Sequence, residues 1–241
     1  MSGFIDLHCH YLPGIDDGVR TVDEGVRVLG GLHDLGYAQV IATPHIRTAM
    51  FENRAPGLRA AFAEMVSLVA NVPRIPALGL AAEHYCDDVF WDLFVRGEAL
   101  PYPGGKAALI EFHYEAWPRK IEQRLFDMQL RGVRPVIAHP ERYHALFRET
   151  DPLDPLLDVG AVTLLDLMSL VGRYGERPER AALRLLEEGA YDAACTDAHR
   201  PDDVLIVARA IETLHRLVGR EEAELLLRDH PHAILEGRYD P

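Results

Sequence analysis

The sequence predicts an α/β protein closed into a single barrel. Short apolar runs alternate with longer amphipathic segments along all 241 residues, and no Gly/Ser-rich or Pro-rich linker interrupts them. Strands that are apolar throughout belong in a parallel sheet covered by helices, because both of their faces are then buried. Seven runs qualify: "GFIDL", "AQVIATP", "PALGLAAE", "AALIEF", "RPVIAHP", "AVTLLDL" and "YDAACTD". Helical patterns lie between them at 22–35, 55–70, 88–97, 118–131, 179–188 and 202–218, with a last helix near 221–229. In the fourth pattern Ile121, Leu125 and Met128 share a dry face, while Glu122, Arg124 and Asp127 take the wet one. An open doubly wound sheet is the alternative. Its nucleotide-binding version is weakened because no glycine-rich phosphate loop follows the first run.

Composition narrows the function. Lys and Arg total 25 against 38 Asp and Glu, a formal charge of −13, which argues against nucleic acid or an anionic membrane as partner. Bound divalent cations would offset part of that charge. No apolar run approaches the roughly 18 residues of a membrane span, and the N-terminus lacks a basic segment followed by an apolar one. The expected location is the cytoplasm. Cys9, Cys86 and Cys195 are odd in number and widely spaced, so they imply no disulfide framework. A cysteine phosphatase needs an arginine after five intervening residues. None follows Cys9 or Cys86, and Arg200 stands one residue too close to Cys195.

The twelve histidines are not scattered evenly. His8 and His10 close the first run, His45 follows the second, and Glu83 and His84 end the third. His113 follows "LIEF", His139 ends "PVIA", and Asp197 and His199 end "DAAC". In a barrel, the C-terminal ends of the strands converge on one mouth, where such folds carry their chemistry. Imidazole and carboxylate together suit Mn, Fe or Zn. A single histidine at a strand end is more often hydrogen-bonded than metal-bound, and His33, His144, His215, His230 and His232 keep that reading. The argument rests on six of seven strand ends offering such groups together. Asp16 reads as turn chemistry before Gly18.

The segments "DLHCHYLPGIDDG", "ATPH", "AAEHYCDD", "LIEFH", "AHPERY", "SLVGRYG" and "TDAH" occur in order. Together they resemble the polymerase and histidinol phosphatase (PHP) family, in its branch of bacterial manganese-dependent protein-tyrosine phosphatases of capsular and exopolysaccharide biosynthesis. The resemblance spans nearly the whole chain. It implies one domain over 1–241, a distorted seven-stranded barrel and three divalent metals, Mn²⁺ foremost, with Fe, Zn, Co or Mg possible. By matched position, His8, His10, Glu83 and Asp197 would hold one metal. Glu83 would bridge to a second held by His113 and His139, and Asp17, His45 and His199 would hold the third. Glu111 would share a face with His113 and could substitute for it. Arg142 matches a phosphate-binding arginine; Arg200 is the only candidate for a second clamp and stands earlier than in relatives. Asp166 stands where relatives commonly carry Asn.

The implied reaction is hydrolysis of phosphotyrosine by metal-activated hydroxide, without a phosphoenzyme, with a bacterial tyrosine kinase tail as the expected partner. Two alternatives fit the same residues: a histidinol-phosphate phosphatase or other PHP phosphoesterase, and a non-catalytic module that binds metal and a partner.

Overall fold

Each apolar run becomes one or two short parallel strands, as expected of segments covered on both faces. The computed structural model describes residues 3–240. In chain order it contains β1 (Phe4–Cys9), α1 (Val22–Asp34), β2 (Tyr37–Ala42), β3 (His45–Ile46), α2 (Ala55–Val69), β4 (Ala77–Leu80), β5 (Glu83–Tyr85) and α3 (Asp88–Val95). There follow β6 (Ala107–Glu111), α4 (Ile121–Leu130), β7 (Arg134–Ala138), α5 (Asp154–Asp158), β8 (Val162–Asp166), α6 (Glu176–Glu187), β9 (Ala193–Cys195), α7 (Asp203–Glu224) and α8 (His230–Glu236).

Nine strand segments stand among the described residues where the sequence predicts seven runs. Thr43-Pro44 ends β2, because Pro44 has no N–H for the ladder, and β3 resumes just beyond the second run at His45. Ala81-Ala82 splits the third, where the backbone changes partner. Ala81 N–H reaches the Ala42 carbonyl at 2.8 Å, whereas Ala82 N–H reaches that of Leu100 at 3.0 Å. The sheet orders are β1-β2-β4 and β3-β5-β6-β7-β8-β9.

The first and last strands also meet. Asp197 N–H donates to the His8 carbonyl at 2.9 Å, and His10 N–H to that of Ala198 at 3.0 Å. Asp6 clasps this seam, accepting from Thr196 N–H at 3.0 Å and Thr196 Oγ1 at 2.6 Å. Burial pushes the Asp6 carboxyl up to about 6, partly opposed by those hydrogen bonds.

Alternating strand residues split the apolar core into two parts. Leu7, Leu109, Val136, Ala138, Leu164 and Cys195 pack together with Ile234 of α8. The opposite set, including Ala108, Ile110, Ile137 and Leu165, packs with helix residues such as Leu29, Leu125 and Leu185. Each such leucine contributes about 1.5–3 kcal/mol on burial. Helices α1 and α7 approach closely at Gly31, where an added Cβ would lie 2.7 Å from Val204.

The C-terminal helices run further than expected. Gly219 (φ 83°) breaks α7 where the pattern at 202–218 ends, and the helix expected near 221–229 is present, running through a π-helical turn at Leu225–Asp229 and on into α8 to Glu236. Pro231 stands in the first turn of α8 and Gly237 caps it in the left-handed region, both favourable positions. No helix is long and apolar enough to cross a membrane among the described residues.

Candidate metal centre

Strand parity builds the centre. His8 and His10 leave β1 on one face, with their Nε2 atoms 3.1 Å apart, and both are buried. Glu83 opens β5 between four imidazoles. Its Oε2 lies 2.8 Å from His45 Nδ1, 3.3 Å from His8 Nε2 and 3.6 Å from His10 Nε2, and its Oε1 lies 3.0 Å from His139 Nε2. Asp197, beyond β9, puts Oδ1 3.2 Å from His8 Nε2 and 3.6 Å from His199 Nδ1. Asp17 closes the outer edge at 3.4 Å from His45 and 3.5 Å from His199, with 58% of its side chain exposed.

Four overlapping groups have donor atoms close enough to share an ion: His10/Asp17/His45/His199, His8/His10/Asp197, His8/Glu83/His139 and His45/Glu83/Glu111. The residues fit divalent cations on two grounds. Their N and O donors suit borderline and hard first-row ions. In addition, Glu83 Oε2, Glu111 Oε2 and Asp197 Oδ1 are buried without a hydrogen bond of good geometry. A buried carboxylate oxygen in that state costs free energy unless a cation faces it. His139 (φ 33°) and Asp197 (φ 46°) also hold left-handed backbone conformations that non-glycine residues rarely adopt.

Charge in the cluster is strongly coupled. Burial alone would raise Glu83 and Asp197, but imidazolium neighbours outweigh it and hold both carboxyls well below the usual range: His8 and His45 for Glu83, His8 and His199 for Asp197. Burial likewise opposes protonation of His8 and His199, yet Glu83 and Asp197 raise His8 to about 9, and Asp197 raises His199 to about 9. His139 behaves oppositely, lowered to about 4 by burial and by Arg142. Hydrogen bonds from His199 and then His45 hold Asp17 well below the usual carboxylate range.

The sequence reading misplaces three groups. His113 is exposed and its Nδ1 accepts from Glu115 N–H at 3.2 Å, so it stands outside the cluster, while Glu111 at the end of β6 enters it. The chain turns away after Phe112, and strand parity no longer applies to residue 113. Arg200 does not face an anion site: its guanidinium donates to the carbonyls of Gly18 and His199, tying two loops together. Asp16 is more than a turn residue. Its Oδ1 accepts from Gly18 N–H at 2.9 Å, while its Oδ2 meets His10 Nδ1 at 2.7 Å and His45 N–H at 3.1 Å. A carboxylate behind an imidazole fixes its tautomer and ring orientation.

Arg142 stands beside the cluster, with Nη1 2.7 Å from Asp197 Oδ2 and Nη2 2.7 Å from the Tyr114 hydroxyl. Its guanidinium lies over the Tyr174 ring at 4.4 Å. Asp166 does point inward, 3.6 Å from Arg142, and burial together with Asp197 pushes its carboxyl well above the usual range. That favours the neutral carboxyl over an added charge. Arg47 went unnoticed in the sequence; it lies 3.6 Å from Glu111 and over Tyr85 at 4.4 Å, and its place two residues after His45 was the available signal. His84 is structural, bonded through both ring nitrogens to the backbone of Leu109 and Leu100. The three cysteines are buried, which pushes Cys9 and Cys195 well up and Cys86 to about 12, so none is a ready nucleophile.

Residues 4–236 match the family described as capsular polysaccharide synthesis, CpsB/CapC. The chain belongs to that family. It is 31% identical over 235 residues to the tyrosine-protein phosphatase YwqE of Bacillus subtilis, covering 93% of this chain and 92% of the relative. It is 26% identical over 237 residues to the tyrosine-protein phosphatase CpsB of Streptococcus pneumoniae, covering 96% and 98% of the two chains. A crystal structure from work on those two proteins, described as unique metal-dependent tyrosine phosphatases, superposes with a TM-score of 0.90 at 27% identity, covering 98% of this chain and 95% of that one. The phosphotriesterase homology protein of Escherichia coli shares only the fold, at 12% identity and a TM-score of 0.59, covering 97% and 99% of the two chains.

Proposed function

We propose that this chain is a metal-dependent protein-tyrosine phosphatase of the PHP family, acting in the cytoplasm on a bacterial tyrosine kinase of exopolysaccharide synthesis. The observation that carries the reading is the convergence of nine imidazole and carboxylate side chains beside Arg142, in a chain 31% identical to a tyrosine phosphatase. In this reading β2 with β3, and β4 with β5, each act as one bent strand. Seven strand positions then close through the β1–β9 seam into a distorted barrel.

Three divalent ions, Mn²⁺ foremost, would occupy the overlapping groups. His8, His10, Glu83 and Asp197 would hold the first. Glu83 would be shared with a second, completed by His139 and by Glu111 in place of His113. Asp17, His45 and His199 would hold the third. Such ions lower the pKa of water and neutralise phosphoryl oxygens.

The chain's own residues do the rest. Arg142 presents a planar fork to non-bridging phosphoryl oxygens, backed by Asp197 and Tyr114. Asp16 holds the His10 ring in place. Tyr114, Phe147 and Tyr174 line a cavity of about 560 Å³ beside Arg142, a wall of aromatic faces suited to a phenyl phosphate.

The test is turnover of a phosphotyrosine peptide against histidinol phosphate by metal-stripped protein reloaded with Mn²⁺. Faster turnover of the peptide, lost on chelation, is expected. Faster turnover of histidinol phosphate would reject this reading in favour of the other phosphoesterase, and inactivity on both would favour a non-catalytic module.

A further inference from the structure

Outward from the aromatic wall, the surface is basic. The cavity beside Arg142 continues into a second one of about 520 Å³, and His144, Phe147 and Arg177 line both. Arg148 and Arg180 complete the outer cavity, which no carboxylate lines. Three arginines thus face one groove in a chain whose formal charge is −13. Arg180 pairs with Glu176 at 3.1 Å, whereas Arg148 and Arg177 carry no ion pair among the described residues. Glu176 is the sole carboxylate lining the inner cavity, and that pairing partly neutralises it.

The groove is held open by contacts that do not depend on a ligand. One wall is the segment 144–148 after β7, and the other is 175–180 at the start of α6. Arg184 of α6 donates to the Leu146 carbonyl at 2.6 Å and fastens one wall to the other. Below them, the buried Glu141 accepts from Ser169 Oγ at 2.8 Å and meets the Tyr191 hydroxyl at 3.0 Å. Positive charge on a preformed wall favours an anion without the entropy cost of ordering a loop.

We propose that this groove is a second anion subsite for the polypeptide that carries the phosphotyrosine, taking a carboxylate or a second phosphate on the chain beside it. The proposal rests on the phosphotyrosine reading and adds a substrate class: acidic or multiply phosphorylated segments in preference to neutral ones. Arg148 and Arg177 supply the attraction, because their guanidinium groups are not already engaged. The phosphoryl group under attack stays with Arg142.

The test compares phosphotyrosine peptides that differ only in their flanks. One has alanine throughout, one carries glutamate walked along either side, and one carries a second phosphotyrosine at the best position. With Mn²⁺-loaded wild-type protein, kcat/KM should rise about five- to tenfold for glutamate at one side, and further for phosphate, which carries nearly twice the charge. In the double variant Arg148→Gln/Arg177→Gln, the ratio of acidic to alanine peptide should fall toward one, and salt should erode the wild-type ratio. A preference for phosphate but not glutamate would identify a second phosphate as the natural occupant; a preference for both would admit either. No flank preference in wild type, or one that the double variant keeps, overturns the proposal. Turnover of p-nitrophenyl phosphate reports separately on the phosphatase reading. If wild-type protein fails even there, anisotropy of a labelled acidic peptide still decides: weaker binding to the double variant supports the groove, and equal binding rejects it.

Discussion

His8 and Glu83 sit on strands packed on both faces, with 0% and 1% of their surface exposed, whereas Asp17 reaches the same centre from a loop and Arg142 from the 3-10 turn Pro140–Arg142. The inner region is held by strand register, and every donor there is fixed by its neighbours on the ladder. The outer region is held by side-chain contacts: Asp16 behind His10, Arg200 on the Gly18 carbonyl, Tyr114 and Asp197 on Arg142. Rigid placement suits the candidate metal donors, while at the rim the Asp17 side chain remains 58% exposed. Inner substitutions should therefore abolish the centre, and outer ones should tune it.

The largest effect is expected for Glu83→Gln. It removes the charge that faces His8, His45 and His139, so bound metal should fall by at least one equivalent and kcat by about a thousandfold. Elemental analysis alongside peptide turnover checks both, and a variant with full metal content and near-normal kcat would dissolve the distinction between the regions. Asp16→Asn should keep all donors in place yet weaken metal binding about ten- to hundredfold, read by titrating metal into stripped protein.

A carboxyl at the opposite end of the strands sharpens the comparison. Asp192, just before β9, accepts from Thr163 N–H at 2.7 Å and the Tyr239 hydroxyl at 2.8 Å, and burial raises it above its ordinary 3.8. A raised carboxyl stabilises the fold while neutral, so that contribution is complete below pH 3.8 and is lost as pH climbs through the folded value. Urea denaturation at a series of pH values should therefore show wild type losing stability relative to Asp192→Asn as pH rises, with kcat the same in both. The smallest effect is expected for His113→Ala, within about twofold in kcat, as for most exposed positions. A large loss there would restore His113 to the centre.

Much of the inner region was legible in the sequence because residue type and strand end coincide. "HCH" at the end of β1 and Glu83 at the start of β5 need only strand parity and a parallel sheet. The outer region was harder to read because it depends on where the chain leaves its strand. Glu111 and His113 have the same parity, and only the turn after Phe112 separates them. Asp16 hid because its aspartate–glycine turn is real, and the same carboxylate also reaches His10. Arg200 could not be read at all: its partner Gly18 is 182 residues away. Helix α6, strand β9 and the helix break at Gly219 came out near their expected places, while the last helix runs past the expected 229 to Glu236 because Gly237, in the left-handed region, sets its end.

The clasp between Asp6 and Thr196 joins residues 190 positions apart, and His8 and Asp197 flank it. Closing so long a loop costs only slightly more entropy than closing a shorter one, but such distant pairings slow folding. The centre therefore depends on a pairing between residues far apart in the chain. A nascent chain released before β9 would display histidines on β1 with no aspartate opposite them. In the proposed function, metal uptake would report chain closure, because the donor set is complete only once β1 and the segment after β9 have met.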